Sequence, residues 1–174
     1  MTRKSLTHRT VRSLAVALLC LAPLAVAPSG CKKTPLQSTV NMGDPRIAGQ
    51  LVDGFYGVEA GAWRWTGKQF SVKLRVPDSA AQKGATLRFL LTVPPAVIEK
   101  NTSVTVSASL EGQMLAPETY SAEGQYTYKR DVPAGVLGGS DTVVSFQLDK
   151  SMIPGGLDKR ELGIVATSIA LVGK

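Results

Sequence analysis

The groups able to carry chemistry in this chain are few: one histidine, two cysteines and thirteen carboxylates among 174 residues. The histidine is His8 and the cysteines are Cys20 and Cys31, so all three fall in the N-terminal segment. Nucleophile systems of the Ser-His-Asp or Cys-His kind need an imidazole beside the attacking group. Zinc sites are ordinarily built from His and Cys at short spacing. Neither can be assembled from residues beyond Cys31. Glycosidase chemistry needs only two acids flanking a scissile bond, and Asp53, Glu59, Asp158 and Glu161 are available, but no spacing pairs them. No aspartate cluster has the spacing of an EF-hand loop. Gly138-Gly139 and Gly155-Gly156 lack the lysine and Ser/Thr of a phosphate loop. The expectation is a protein that is not an enzyme and holds no metal or dissociable cofactor.

Recognition by aromatic side chains remains. Trp63 and Trp65 are two apart and share one face of a strand, while Arg64 points the other way. Turned inward, both rings belong to a core, which the usual burial of large aromatics favours. Turned outward, they make an apolar platform suited to stacking on sugar rings. Tyr126 and Tyr128 also share a face, which Arg130 continues, with Gln125, Thr127 and Lys129 opposite. That set is either a glycan contact or a half-buried sheet face whose hydroxyls reach solvent. The candidate ligand-binding residues are therefore Trp63, Trp65, Tyr126, Tyr128 and Arg130. Glu59, Arg64, Asp158 and Arg160 are read as a structural ion-pair set fastening the first strand of the domain to the last, because an unpaired buried arginine is costly.

These residues have to be positioned by strands. Phe70, Val72, Leu74 and Val76 alternate with polar residues, as do Val104 to Leu110, and Leu87, Phe89, Leu91 and Val93 repeat the pattern with Arg88 and Thr92 on the other face. Further runs surround Tyr126–Tyr128 and Val144–Leu148, and short ones lie at Trp63–Thr66 and Glu118–Tyr120. The last run, LGIVATSIALV, is apolar on both faces and reads as a central strand. Turn residues such as Pro77-Asp78, Pro94-Pro95 and Glu111-Gly112 separate the runs. Residues 54–174 are predicted to form an all-β domain, an antiparallel β-sandwich of jelly-roll type with about eight strands.

Charge separates the N-terminal segment from the rest. Four of the twenty basic residues precede Cys31 and all thirteen acids follow it, leaving 16 − 13 = +3 from Cys31 onward. That balance is too mild to imply a nucleic-acid partner. Residues 1–12 are basic without an acid, and residues 14–27 are apolar but interrupted by Pro23. The run is shorter than the roughly 20 residues of a spanning helix, so residues 1–30 are expected to be a secretory signal. Ser29-Gly30-Cys31 resembles the lipobox of bacterial lipoproteins, with Pro28 where leucine is usual. The resemblance implies a diacylglycerol on the Cys31 sulfur, cleavage before it and acylation of the new amine. Two or more acyl chains hold a protein stably to a bilayer. Residues 31–53, rich in Pro, Gly, Ser, Thr and Asn, are expected to be the lipidated cysteine and a flexible linker, with a reach of roughly 25 Å. The expected location is the bacterial cell envelope. Lys32, in place of the aspartate associated with inner-membrane retention, favours the outer membrane.

One further likeness concerns the domain. Gly54, Phe55, Tyr56, Glu59, Arg64, Trp65 and Thr66, then Asp158, Arg160, Leu162 and Gly163, resemble motifs of a β-sandwich module found beside bacterial glycosyltransferases. The likeness covers most of residues 54–172, and the 174 residues themselves hold no glycosyltransferase domain. It implies a sandwich and a carbohydrate setting, and supplies no binding residues. Two functions follow: a lipid-tethered module binding carbohydrate of the envelope or its surroundings, or an envelope scaffold contacting other proteins through a sheet face or edge.

Overall fold

The computed structural model describes residue 2, residues 34–155 and residues 158–174. The expected signal and the lipidation site Cys31 lie outside the described residues. Within them the alternating runs become strands: β1 (Thr39–Asn41), β2 (Leu51–Glu59), β3 (Trp63–Arg75), β4 (Ala85–Val93), β5 (Val104–Leu110), β6 (Gln113–Tyr120), β7 (Gly124–Val132), β8 (Asp141–Leu148) and β9 (Val165–Gly173). All pairings are antiparallel, in the order β6-β5-β8-β3-β9-β4-β7, with β1 added to β9 and β2 to β3. The chain is an all-β antiparallel sandwich.

One strand serves both layers. β3 pairs with β9 through Arg64 and Trp65, then with β8 through Gln69 to Arg75. Where β3 leaves β9, β1 takes the vacated edge, pairing Thr39 to Asn41 with Ala170 to Ser168. The unpaired backbone of a central strand thereby finds partners. All four phenylalanines meet between the layers. Phe70 stacks on Phe146 at 5.0 Å between centroids, and Phe89 and Phe55 close on Phe70 edge to face at 5.7 and 5.4 Å.

The edge strands β6 and β7 are joined by side chains. The Tyr128 hydroxyl donates to the Ala116 carbonyl at 2.8 Å, and Arg130 donates to Ala116 and Pro117 carbonyls at 2.6 and 3.0 Å. Arg130 also pairs with Glu118 at 2.8 Å and lies 4.3 Å over the Tyr128 ring. Pro117 blunts the β6 edge further, having no N–H to offer a new strand.

The predicted flexible linker does not hold for its C-terminal part. Val40, Met42 and Ile47 are fully buried, a 3-10 helix spans Pro45–Gln50, and β2 begins at Leu51. The domain therefore starts before residue 54. The segment escapes a period-two reading because β1 has three residues and β2 shifts register three times against β3. Two short helices, α1 (Ala80–Lys83) and α2 (Pro95–Asn101), sit in connections. Pro95 occupies the first helical turn, where a missing N–H costs nothing. Among the described residues no helix is long and apolar enough to cross a membrane.

Candidate functional site

The tryptophan strand is held from behind. Arg64, on the opposite face of β3, donates from Nε to the Met42 carbonyl at 3.0 Å and from Nη1 to the Tyr56 carbonyl at 2.8 Å. Arg64 thus bonds to carbonyls, and the ion pair expected of it from the sequence is corrected to a clamp on backbone. Two residues on, the Thr66 hydroxyl accepts from the Ile164 N–H at 3.1 Å and the Thr66 carbonyl from the Gly163 N–H at 2.7 Å. A Cβ at Gly163 would lie 2.6 Å from the Gly67 carbonyl oxygen, so only glycine permits this approach.

The acidic partners gather on one guanidinium. Arg160 Nη1 lies 2.9 Å from Glu59 and Nη2 2.9 Å from Asp158, linking the end of β2 to the loop before β9. Arg160 also rests 5.3 Å from the Tyr56 ring centroid, and the Tyr56 hydroxyl donates to the Glu161 carbonyl at 2.8 Å. The hydrogen bonds that Arg160 donates hold the Asp158 carboxyl below the usual carboxylate range, and having Asp158 and Glu59 as acceptors holds the guanidinium above its own. Asp158 is therefore poorly suited to donating a proton as a general acid. Glu161 accepts from the Ser151 hydroxyl at 2.6 Å. Among the described residues no group of three or more His, Cys, Asp or Glu is gathered tightly enough to hold a metal ion.

Trp63 and Trp65 line a shallow apolar cleft on the outer face of β3, β9 and β4. Both rings are half-buried, meeting edge to face at 6.3 Å with 81° between planes. Trp65 rests against the core. The rings therefore form a corner, and neither the sealed core nor the flat platform expected from the sequence describes them. The cleft holds about 490 Å³, and Ala62, Thr92, Pro94, Gln125, Val165 and Thr167 complete it. Every one of these side chains is uncharged. An apolar corner with a few hydroxyl and amide groups is the composition of a small-ligand site.

The structure sets the other candidates apart from the tryptophans, although Tyr126 also lines an adjoining depression. Tyr128 is fully buried, so it is corrected from ligand contact to core. The Tyr126 ring packs against Tyr120 at 4.5 Å between centroids with 37° between planes, and its hydroxyl donates to the Ala122 carbonyl at 3.1 Å. Arg130 is corrected likewise, since its donors are committed to the β6–β7 seam. The inward face of β7 carries these three residues, and the outward face carries Gln125, which borders the cleft. Thr92, Pro94, Val165 and Thr167 were not legible as site residues, because cross-strand register alone brings them beside the indoles.

No protein-family model and no curated protein sequence matches the chain. Among solved structures, it is similar to the CBM36-1 domain of a multidomain xylanase from the hindgut metagenome of Trinervitermes trinervoides. That likeness has 12% identity and a TM-score of 0.38, covering 72% of this chain and 97% of the other. A second, described as CBM4 structure and function, has 14% identity and a TM-score of 0.37, covering 78% of this chain and 85% of the other. Superpositions this loose carry no argument, and the architecture rests on the strand pairing described above.

Proposed function

We propose that this protein is a non-catalytic carbohydrate-binding domain, moored to a membrane of the bacterial cell envelope by lipid on Cys31. The single observation supporting recognition of sugar is the uncharged corner made by Trp63 and Trp65. A pyranose offers an axial C–H face to one indole and hydroxyls to the groups around it, and aromatic contact of this kind exploits the negative ring face. Thr92, Gln125 and Thr167 supply donors and acceptors at the rim. The mooring is supported by the Ser29-Gly30-Cys31 sequence behind a short apolar run. Its placement in the outer membrane rests on Lys32.

Trp63 and Trp65 are the only tryptophans in the chain, so intrinsic fluorescence reports this corner alone. Titrating the full chain, held in a detergent without a sugar headgroup, against a panel of soluble oligosaccharides should give a saturable change in emission. Trp63→Ala should abolish binding in calorimetry. A panel without any response refutes the sugar-binding role. Metabolic labelling with a palmitate analogue should mark the wild type and spare Cys31→Ala; equal labelling of both refutes the mooring.

A further inference from the structure

The cleft does not end at the tryptophans. Trp65 pairs with Val165, Val165 with Thr92, and Thr92 with Gln125, so one row of side chains crosses β3, β9, β4 and β7 in register. The next row runs from Ser168 through Leu90 to Thr127. A second depression of about 210 Å³ follows this row, lined by Leu90, Leu91, Tyr126 and Thr127, and it shares Thr92, Gln125 and Thr167 with the first. The two are one groove. Between the rows the register of β9 slips by one residue opposite Leu90 and Leu91, leaving Thr167 as the extra residue. Bulges of this kind re-aim a side chain, and Thr167 is exposed at the junction of the two depressions.

Three strand spacings at about 4.8 Å make the groove about 14 Å long, perpendicular to the strands. That length exceeds one sugar ring. Its lining combines apolar surface (Trp65, Val165, Leu90) with hydroxyl and amide groups (Thr92, Thr167, Gln125). No charged residue lines either depression; the nearest charges by register are Glu59, which faces Trp63 across β2 and is neutralised by Arg160, and the cross-strand partners Arg88 and Lys129, one row beyond Leu90 and Thr127. A charged polymer seated here would leave its anions facing uncharged walls, which is unfavourable. We propose that the groove takes a linear, uncharged polysaccharide lying across the strands, with its rings continuing from the tryptophan corner over β9 and β4 to β7. This rests on the sugar-binding role proposed above and adds chain length and charge as the determinants of specificity.

The test uses the full chain in the same detergent and neutral β-linked gluco- and manno-oligosaccharides from one ring to six, read by tryptophan fluorescence and calorimetry. Affinity should rise at least tenfold between two rings and four, then level off, with no dependence on salt. Thr127→Arg, at the far end of the groove, should remove that gain and leave the affinity for one or two rings within twofold of wild type. Binding that is independent of length, or a gain that survives Thr127→Arg, overturns the groove and leaves the tryptophan corner standing. An anionic oligosaccharide that binds more tightly than its neutral counterpart, with affinity falling steeply in salt, overturns the uncharged class. If no sugar of any length perturbs the tryptophans, the sugar-binding role itself fails and the groove with it.

Discussion

Replacing Arg64 separates a backbone clamp from an ion pair. Arg64→Met keeps most of the aliphatic stem and deletes both donors, leaving the Met42 and Tyr56 carbonyls without the guanidinium. Charge-assisted hydrogen bonds contribute about 1.5–3 kcal/mol each. Arg64 is half-buried, so the lower end applies, and two bonds lost should cost about 3 kcal/mol. For a domain of this size that corresponds to a fall in Tm of about 10 °C. Arg64→Lys offers a single point donor in place of a fork and should lose about half as much. The assay is urea unfolding of the full chain followed by circular dichroism, with tryptophan emission recorded in parallel. Because the partners are carbonyls, the loss should be the same at low and high salt, whereas a screened ion pair fades as the Debye length shrinks to about 3 Å at 1 M. A loss below about 1 kcal/mol, or one that disappears in salt, refutes the clamp.

Four further outcomes follow from the same geometry. The Tyr120 hydroxyl is buried without a hydrogen-bond partner, whereas Tyr128 donates to Ala116; Tyr120→Phe should be neutral or stabilising in urea unfolding, and Tyr128→Phe should cost about 1 kcal/mol. Asp158 is depressed in the fold by Arg160, so its stabilising effect is complete above the unfolded carboxylate range near pH 4 and disappears as pH falls through the folded value; Asp158→Asn should flatten the acid limb of a Tm–pH profile. Burial raises Tyr120 and Tyr128, so the stability they confer is full below about pH 10 and is lost as pH rises further, which alkaline melting curves should record. Gly163→Ala drives a methyl into the Gly67 carbonyl and the Leu148 side chain; it should destabilise by about 3 kcal/mol and alter tryptophan emission, since the same contact seats β3 on β9.

Legibility followed regularity. Strands with uninterrupted period two, such as β4 and β5, were readable because each alternate residue is buried along their whole length. β2 was not, because Gly54 at φ +71° and successive bulges break its alternation. β3 was read as two pieces because its alternation changes where it passes from one layer to the other. α1 and α2 have four and seven residues, too few for a helical stripe to stand out. At the site, Trp63 and Trp65 were visible as a pair, while the residues that complete their cleft stand far away in sequence.

Composition and alternation by themselves determined that the chain past Cys31 has no imidazole and no thiol, and that it folds into antiparallel strands around a core. Tertiary structure decided which of two faces each strand turns outward, a choice that period two leaves open because it names two faces without ranking them. It placed Tyr128 inside and Gln125 outside on the same strand. It also set the register that puts Trp65, Val165, Thr92 and Gln125 in one line. Register arises from pairing between segments remote in the chain, with a bulge at Thr167 shifting it by one residue, and no local pattern encodes that shift.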